Sequence, residues 1–165
     1  MKKIVAILLI CFTCCMGSRC MAESPLPVHL DLSLGMGTPC KDIRPFDASM
    51  SLSYDFKRFS IFAIYQGDVL VPKSGLTNNY NLVNNLGGGL GYRLPSLNCF
   101  EARGFVTRTI GHPTLRNTSY NLGLYWHCGS SNLFPSPVIG IGYNCKDFSA
   151  APTYHGAYIS FGFRF

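Results

Sequence analysis

The last twelve residues, Tyr154-His155-Gly156-Ala157-Tyr158-Ile159-Ser160-Phe161-Gly162-Phe163-Arg164-Phe165, decide the fold. Ala157, Ile159, Phe161, Phe163 and Phe165 fall on one parity, and Tyr158, Ser160, Gly162 and Arg164 on the other. Successive side chains of an extended strand point to opposite faces, so this period of two makes one face apolar and the other small or polar.

The same pattern recurs through the chain. Leu30, Leu32, Leu34 and Met36 alternate with His29, Asp31, Ser33 and Gly35, and Ala48, Met50, Leu52, Tyr54 and Phe56 with Asp47, Ser49, Ser51, Ser53 and Asp55. A helix would place Asp31 with Leu34 and Ser51 with Tyr54, which fits neither segment. Further strands are expected over 59–66 (apolar on both faces, so of undecided orientation), 81–93, 99–109, 118–128, 138–145 and 154–165. Gly, Pro and Asn mark the connections between them. This makes eight strands with no amphipathic helix between them.

Three features favour a membrane barrel over a soluble β-sandwich. Several segments reach the 9–11 residues that a tilted strand needs to cross a bilayer, whereas soluble strands average about 5–6. The polar parity is crowded with small residues, among them Gly35, Gly87, Gly89, Gly91, Gly123, Gly140, Gly142, Gly156 and Gly162, which suit the narrow inside of a small barrel. Lipid also demands that every backbone group be satisfied internally, which a sheet achieves by closing on itself. Aromatics at the strand ends fit the two interfacial girdles: Phe56, Phe59, Tyr92, Phe100 and Trp126 at one rim, Tyr65, Tyr120, Tyr143 and Tyr154 at the other.

The N-terminal stretch has a separate purpose. Lys2 and Lys3 precede an apolar run over 4–15, and small residues follow near Ala22, the layout of a secretory signal peptide. The run is too short to span a bilayer as a helix. The expected division is a cleaved leader, 1–22, and one barrel domain, 23–165. The full chain has 14 basic and 8 acidic residues, a formal charge of +6. Without the leader's Lys2, Lys3 and Arg19 the excess is about +3, scattered singly, which argues against a nucleic-acid partner.

With its leader and its terminal strand, the chain resembles the small eight-stranded outer-membrane barrels of Gram-negative bacteria, of the OmpA transmembrane and OmpX type. The resemblance implies an all-β, closed, up-and-down antiparallel transmembrane barrel in the outer membrane. It also implies that the insertion machinery reads Ile159, Phe161, Phe163 and Phe165 as a C-terminal signal, and that outer-membrane lipid is the surrounding partner. Both chain ends then face the periplasm with the connections near 57–58, 94–98 and 129–137. Those near 37–46, 67–80, 110–117 and 146–153 face outward and are short for an adhesin.

Charges on the polar parity must sit inside such a barrel, where they need partners. Asp31, Arg93, Glu101, Arg103 and Arg164 are expected to form an interior network, with Asp55 near a rim. The four cysteines beyond the leader suggest two candidate disulfides in an oxidising compartment, Cys99–Cys128 and Cys40–Cys145. The first requires a bulge or frayed end, because its two members fall on opposite parities. No metal or cofactor motif stands out.

A catalytic reading is weak. Asp147, Ser149 and His155 are the residue types of a hydrolase triad. His127 with Ser130 and Ser131 resembles PagL-type lipid A deacylases in residue type, but the spacing departs from theirs. The expected role is therefore non-enzymatic: structural, envelope-integrity or surface-interaction. The alternatives are a narrow channel for small solutes and, less favoured, a lipid A-modifying barrel enzyme.

Overall fold

A computed structural model describes residues 27–40, 43–72, 81–95, 97, 99–113, 116–128, 135–149 and 151–165. The expected leader, 1–22, lies outside them. Eight strands follow in chain order: β1 Val28–Gly37, β2 Ile43–Phe56, β3 Phe59–Pro72, β4 Asn81–Arg93, β5 Phe100–Thr109, β6 Asn117–His127, β7 Ser136–Phe148 and β8 Tyr154–Arg164. Each pairs antiparallel with its neighbours in sequence, and β1 pairs with β8 from Asp31↔Arg164 to Gly37↔Tyr158, closing the barrel.

Burial is inverted relative to a soluble protein. Buried polar side chains outnumber buried apolar ones among the described residues, eighteen to eight. The exposed side chains include Leu32, Leu34, Leu52, Leu82, Leu86, Leu90, Leu122, Ile141, Ile159 and Phe161. These cover the outer wall, where lipid replaces water as their solvent. β3 resolves its ambiguity the same way: Ile61 and Tyr65 face out, while Ser60, Phe62, Ile64, Gln66 and Asp68 face in.

Glycine sets how closely the wall can fold around its contents. A Cβ on Gly87 would lie 1.9 Å from the Val106 carbonyl oxygen of β5, and one on Gly89 2.3 Å from that of Gly104. The β4–β5 seam therefore closes only because these inward positions carry no side chain. At the end of the barrel where β1 begins and β8 ends, here the terminal end, β2 turns into β3 through Lys57 and Arg58. Lys57 takes the left-handed backbone (φ +55°) suited to a two-residue hairpin turn.

Three strands run further than the sequence pattern indicates. β2 begins at Ile43, β3 continues to Pro72 and β7 to Phe148, so most of 43–46, 67–72 and 146–148 is wall rather than loop. Polar residues there, Asp68 and Lys146 above all, point inward and extend the alternation instead of ending it. Tyr154 is also reassigned. It does not join the outer girdle but lies inside, 2% exposed, and packs with Leu70 and Phe148 into a small apolar cluster near the end opposite the termini.

Candidate functional site: the charged lumen

Arg103 organises the half of the lumen nearer the termini. Its guanidinium donates to Asp31 Oδ2 at 2.8 Å and to Glu101 Oε2 at 3.0 Å. It lies 4.9 Å from the ring centre of Tyr125 and 5.4 Å from that of Phe62, within cation–π range of both. Arg164 donates to Asp31 Oδ1 at 2.7 Å and approaches Glu101 at 3.4 Å. Glu101 also accepts from the Ser60 hydroxyl at 2.5 Å and from His127 Nε2 at 2.8 Å. Arg93 belongs to a neighbouring group, donating to Asp55 at 2.8 Å, with His29 3.4 Å from the same carboxylate.

β1 and β5 are four strands apart whichever way one counts around the ring, so the Asp31–Arg103 contact crosses the lumen. A second contact crosses it nearer the far end. There Lys146 of β7 donates to Asp68 of β3 at 2.5 Å, and both side chains are at most 1% exposed. Asn85 and Gln66 also donate to Asp68, at 2.8 and 3.0 Å. Buried charges are tolerable when paired and hydrogen-bonded like this. Between the two crossings lies a cavity of about 40 Å³, lined by Asp31, Asp47, Gln66, Arg103, Asn144 and Tyr158 among others. That is room for about three waters, at roughly 10–15 Å³ of probe-occupied volume each.

Asp31, Glu101, Arg103 and Arg164 thus meet in one cluster, and Arg93 stands beside it with Asp55. Sequence reasoning missed Asp68 and Lys146, taken as loop residues, and gave His29 and His127 no interior role. Parity carried far enough along β3 and β7 reaches the first two: Asp68 follows Gln66, and Lys146 follows Asn144.

The candidate cysteine pairs fare differently. No disulfide joins Cys40 to Cys145. Cys145 shares the outward parity of Tyr143, while Cys40 packs against the inner Leu70, Phe148 and Tyr154 cluster, so the barrel wall separates them. A Cys99–Cys128 bridge is not shown either. The His127 amide donates to the Cys99 carbonyl at 2.7 Å, which sets Cys99 opposite His127 and one position short of Cys128.

The triad residue types do not converge. Asp147 accepts from Thr153 at 3.2 Å, the Ser149 hydroxyl donates to the Arg116 carbonyl at 3.3 Å, and His155 hydrogen-bonds Tyr143 at 3.1 Å. His127 is buried against Glu101; Ser130 and Ser131 lie outside the described residues. Among the described residues no group of three or more His, Cys, Asp or Glu is placed to hold a metal ion.

No family model matches the sequence, and no curated protein matches it. Solved structures share its fold. The backbone structure of the Yersinia pestis outer membrane protein Ail in a phospholipid bilayer nanodisc superimposes with a TM-score of 0.53 at 12% identity, covering 84% of this chain and 98% of Ail. A de novo designed transmembrane β-barrel gives 0.50 at 12% identity, covering 88% of this chain and all of the design. The chain has the fold of a closed eight-stranded transmembrane β-barrel.

The terminal strand can be placed on that fold. Ile159, Phe161, Phe163 and Phe165 are all exposed on the outer wall, and Phe161 and Phe163 meet edge to face at 5.3 Å. Other ring pairs on the outer wall near the termini are Phe59–Tyr92 at 5.0 Å and Phe100–Trp126 at 6.1 Å.

Proposed function

We propose that this chain is a non-enzymatic barrel of the bacterial outer membrane whose role is structural, in the integrity of the envelope. The observation that carries this reading is the lumen. Charged side chains from opposite walls meet across it at two levels, and an eight-stranded barrel is narrow enough for such contacts to fill it. This favours a braced, non-conducting wall over a narrow solute channel.

A surface-interaction role has less support. The connections at the end away from the termini, residues 38–42, 73–80, 110–116 and 149–153, are short, which leaves little chain to display. In this reading residues 1–22 direct export, and the termini face the periplasm. The outward row Ile159, Phe161, Phe163 and Phe165 engages the insertion machinery before it engages lipid.

Deleting the gene tests the role. The expected outcome is increased entry of vancomycin and detergent, restored by the wild-type chain. Unchanged barrier function would remove the integrity reading while leaving the fold intact. Location is tested separately: the unheated protein from outer-membrane fractions should migrate on a detergent gel as a compact band that shifts on boiling. Replacing Phe165 with Ala should reduce the yield of that band.

A further inference from the structure

Five carboxylates face the lumen among the described residues, Asp31, Asp47, Asp55, Asp68 and Glu101, against four permanent cations, Arg93, Arg103, Arg164 and Lys146. Four of the carboxylates have a Lys or Arg partner within 4 Å. Asp47 pairs with no Lys, Arg or His among the described residues.

Asp47 is placed where a missing positive charge matters. It lies directly opposite Asp68 in the β2–β3 pairing, and like charges at that spacing repel. Lys146 attracts Asp47 as well as Asp68, but its ammonium is bonded to Asp68, which Asn85 and Gln66 also serve, so Asp47 is left without an ion-pair partner of its own. Its carboxylate lies over Gly35 of β1, where an added Cβ would come within 2.6 Å of the carboxylate oxygens, and it lines the central cavity.

A second observation points into the same space. Gln66 Oε1 and Asn144 Oδ1 have no hydrogen-bond partner, although their residues are only 3% and 6% exposed, and both residues line the cavity. Ser49 and Ser160 line it too, which makes an oxygen-rich set built on one carboxylate. The unpartnered donors Asn121 Nδ2 and Arg103 Nε belong to lining residues as well and suit the waters that would complete a coordination shell.

We propose that the chamber between the two cross-lumen contacts binds one small monovalent cation of the sodium class, held by Asp47 with Gln66, Asn144 and water. Hard cations take oxygen ligands of this kind. The single unmatched charge selects a monovalent ion, and a cavity of about 40 Å³ admits the ion with a few waters. A ligand that binds only the folded chain stabilises it.

The test is thermal unfolding of the whole barrel in zwitterionic detergent, followed by the heat-dependent gel shift. NaCl is compared with N-methyl-D-glucamine chloride at equal ionic strength. The midpoint of the wild type should be several degrees higher in sodium, and Asp47→Asn should remove the difference. Gln66→Leu removes one ligand oxygen and no charge, and should shrink the difference whether or not the first variant folds. Equal midpoints of the wild type in the two salts would overturn the proposal, as would a sodium effect that persists unchanged in both variants. The first result would mean that the charge is balanced by a proton, the second that sodium acts elsewhere.

Discussion

Lys146 and Asp68, 78 residues apart in the chain, meet inside the barrel with Nζ 2.5 Å from Oδ2. They come from β7 and β3, which face each other across the ring. Removing one partner of a buried pair leaves the other charge stranded, at about 3–5 kcal/mol, while replacing both with apolar side chains is often neutral. Lys146→Met should therefore lower stability to urea in detergent micelles by that amount. Lys146→Met combined with Asp68→Leu should recover most of it. A single variant as stable as wild type would show that the pair is not formed in the lumen.

The filled lumen predicts electrical silence. Reconstituted in planar bilayers, the wild type should show no steady ohmic current. Shortening both crossings, with Arg103→Ala and Lys146→Ala in one chain, should produce measurable conductance if the barrel still forms by the gel-shift criterion. A large, stable current through the wild type would reverse the channel assignment.

Glycine spacing makes a sharper structural prediction. Gly87→Ala puts a methyl group against the β5 backbone, and Gly104→Ala places one 3.7 Å from its nearest neighbour, an ordinary contact. Folding yield into micelles should fall steeply for the first and stay near wild type for the second. Comparable yields would mean that the β4–β5 seam can open to admit a side chain.

Leu122 tests the membrane assignment. It is 67% exposed and lies mid-strand on β6. Leu122→Arg should cost about 2–4 kcal/mol in a lipid bilayer, the range for a cation on the lipid face near the midplane. Reversible urea titration in vesicles measures it. A neutral result would place this face in water.

Much of the architecture was readable from the alternation, because a barrel in lipid obeys period two on every strand. What escaped was at the far end. Pro45, Asp68 and Lys146 look like loop chemistry, since a strand of a soluble protein seldom tolerates them inside. In this fold the inside is the polar side, so an inward charge continues a strand. The Asp31, Glu101, Arg103 and Arg164 cluster could be listed from parity. Its cross-lumen geometry could not, because the register around a closed sheet is set by pairing. Tyr154 was misplaced because an aromatic at a strand end reads as interfacial, whereas its parity with Gly156 points inward.

The two lumen-crossing contacts join β1 to β5 and β3 to β7, pairs a quarter-turn apart around the ring. A tube tied along one diameter can still flatten along the other. Tied along both, it resists becoming oval in either direction, so sideways compression from packed acyl chains is met by charges in the middle as well as by the curvature of the sheet. A barrel of this kind would keep a circular cross-section as membrane tension changes, behaving as a stiff inclusion rather than a sensor of that tension.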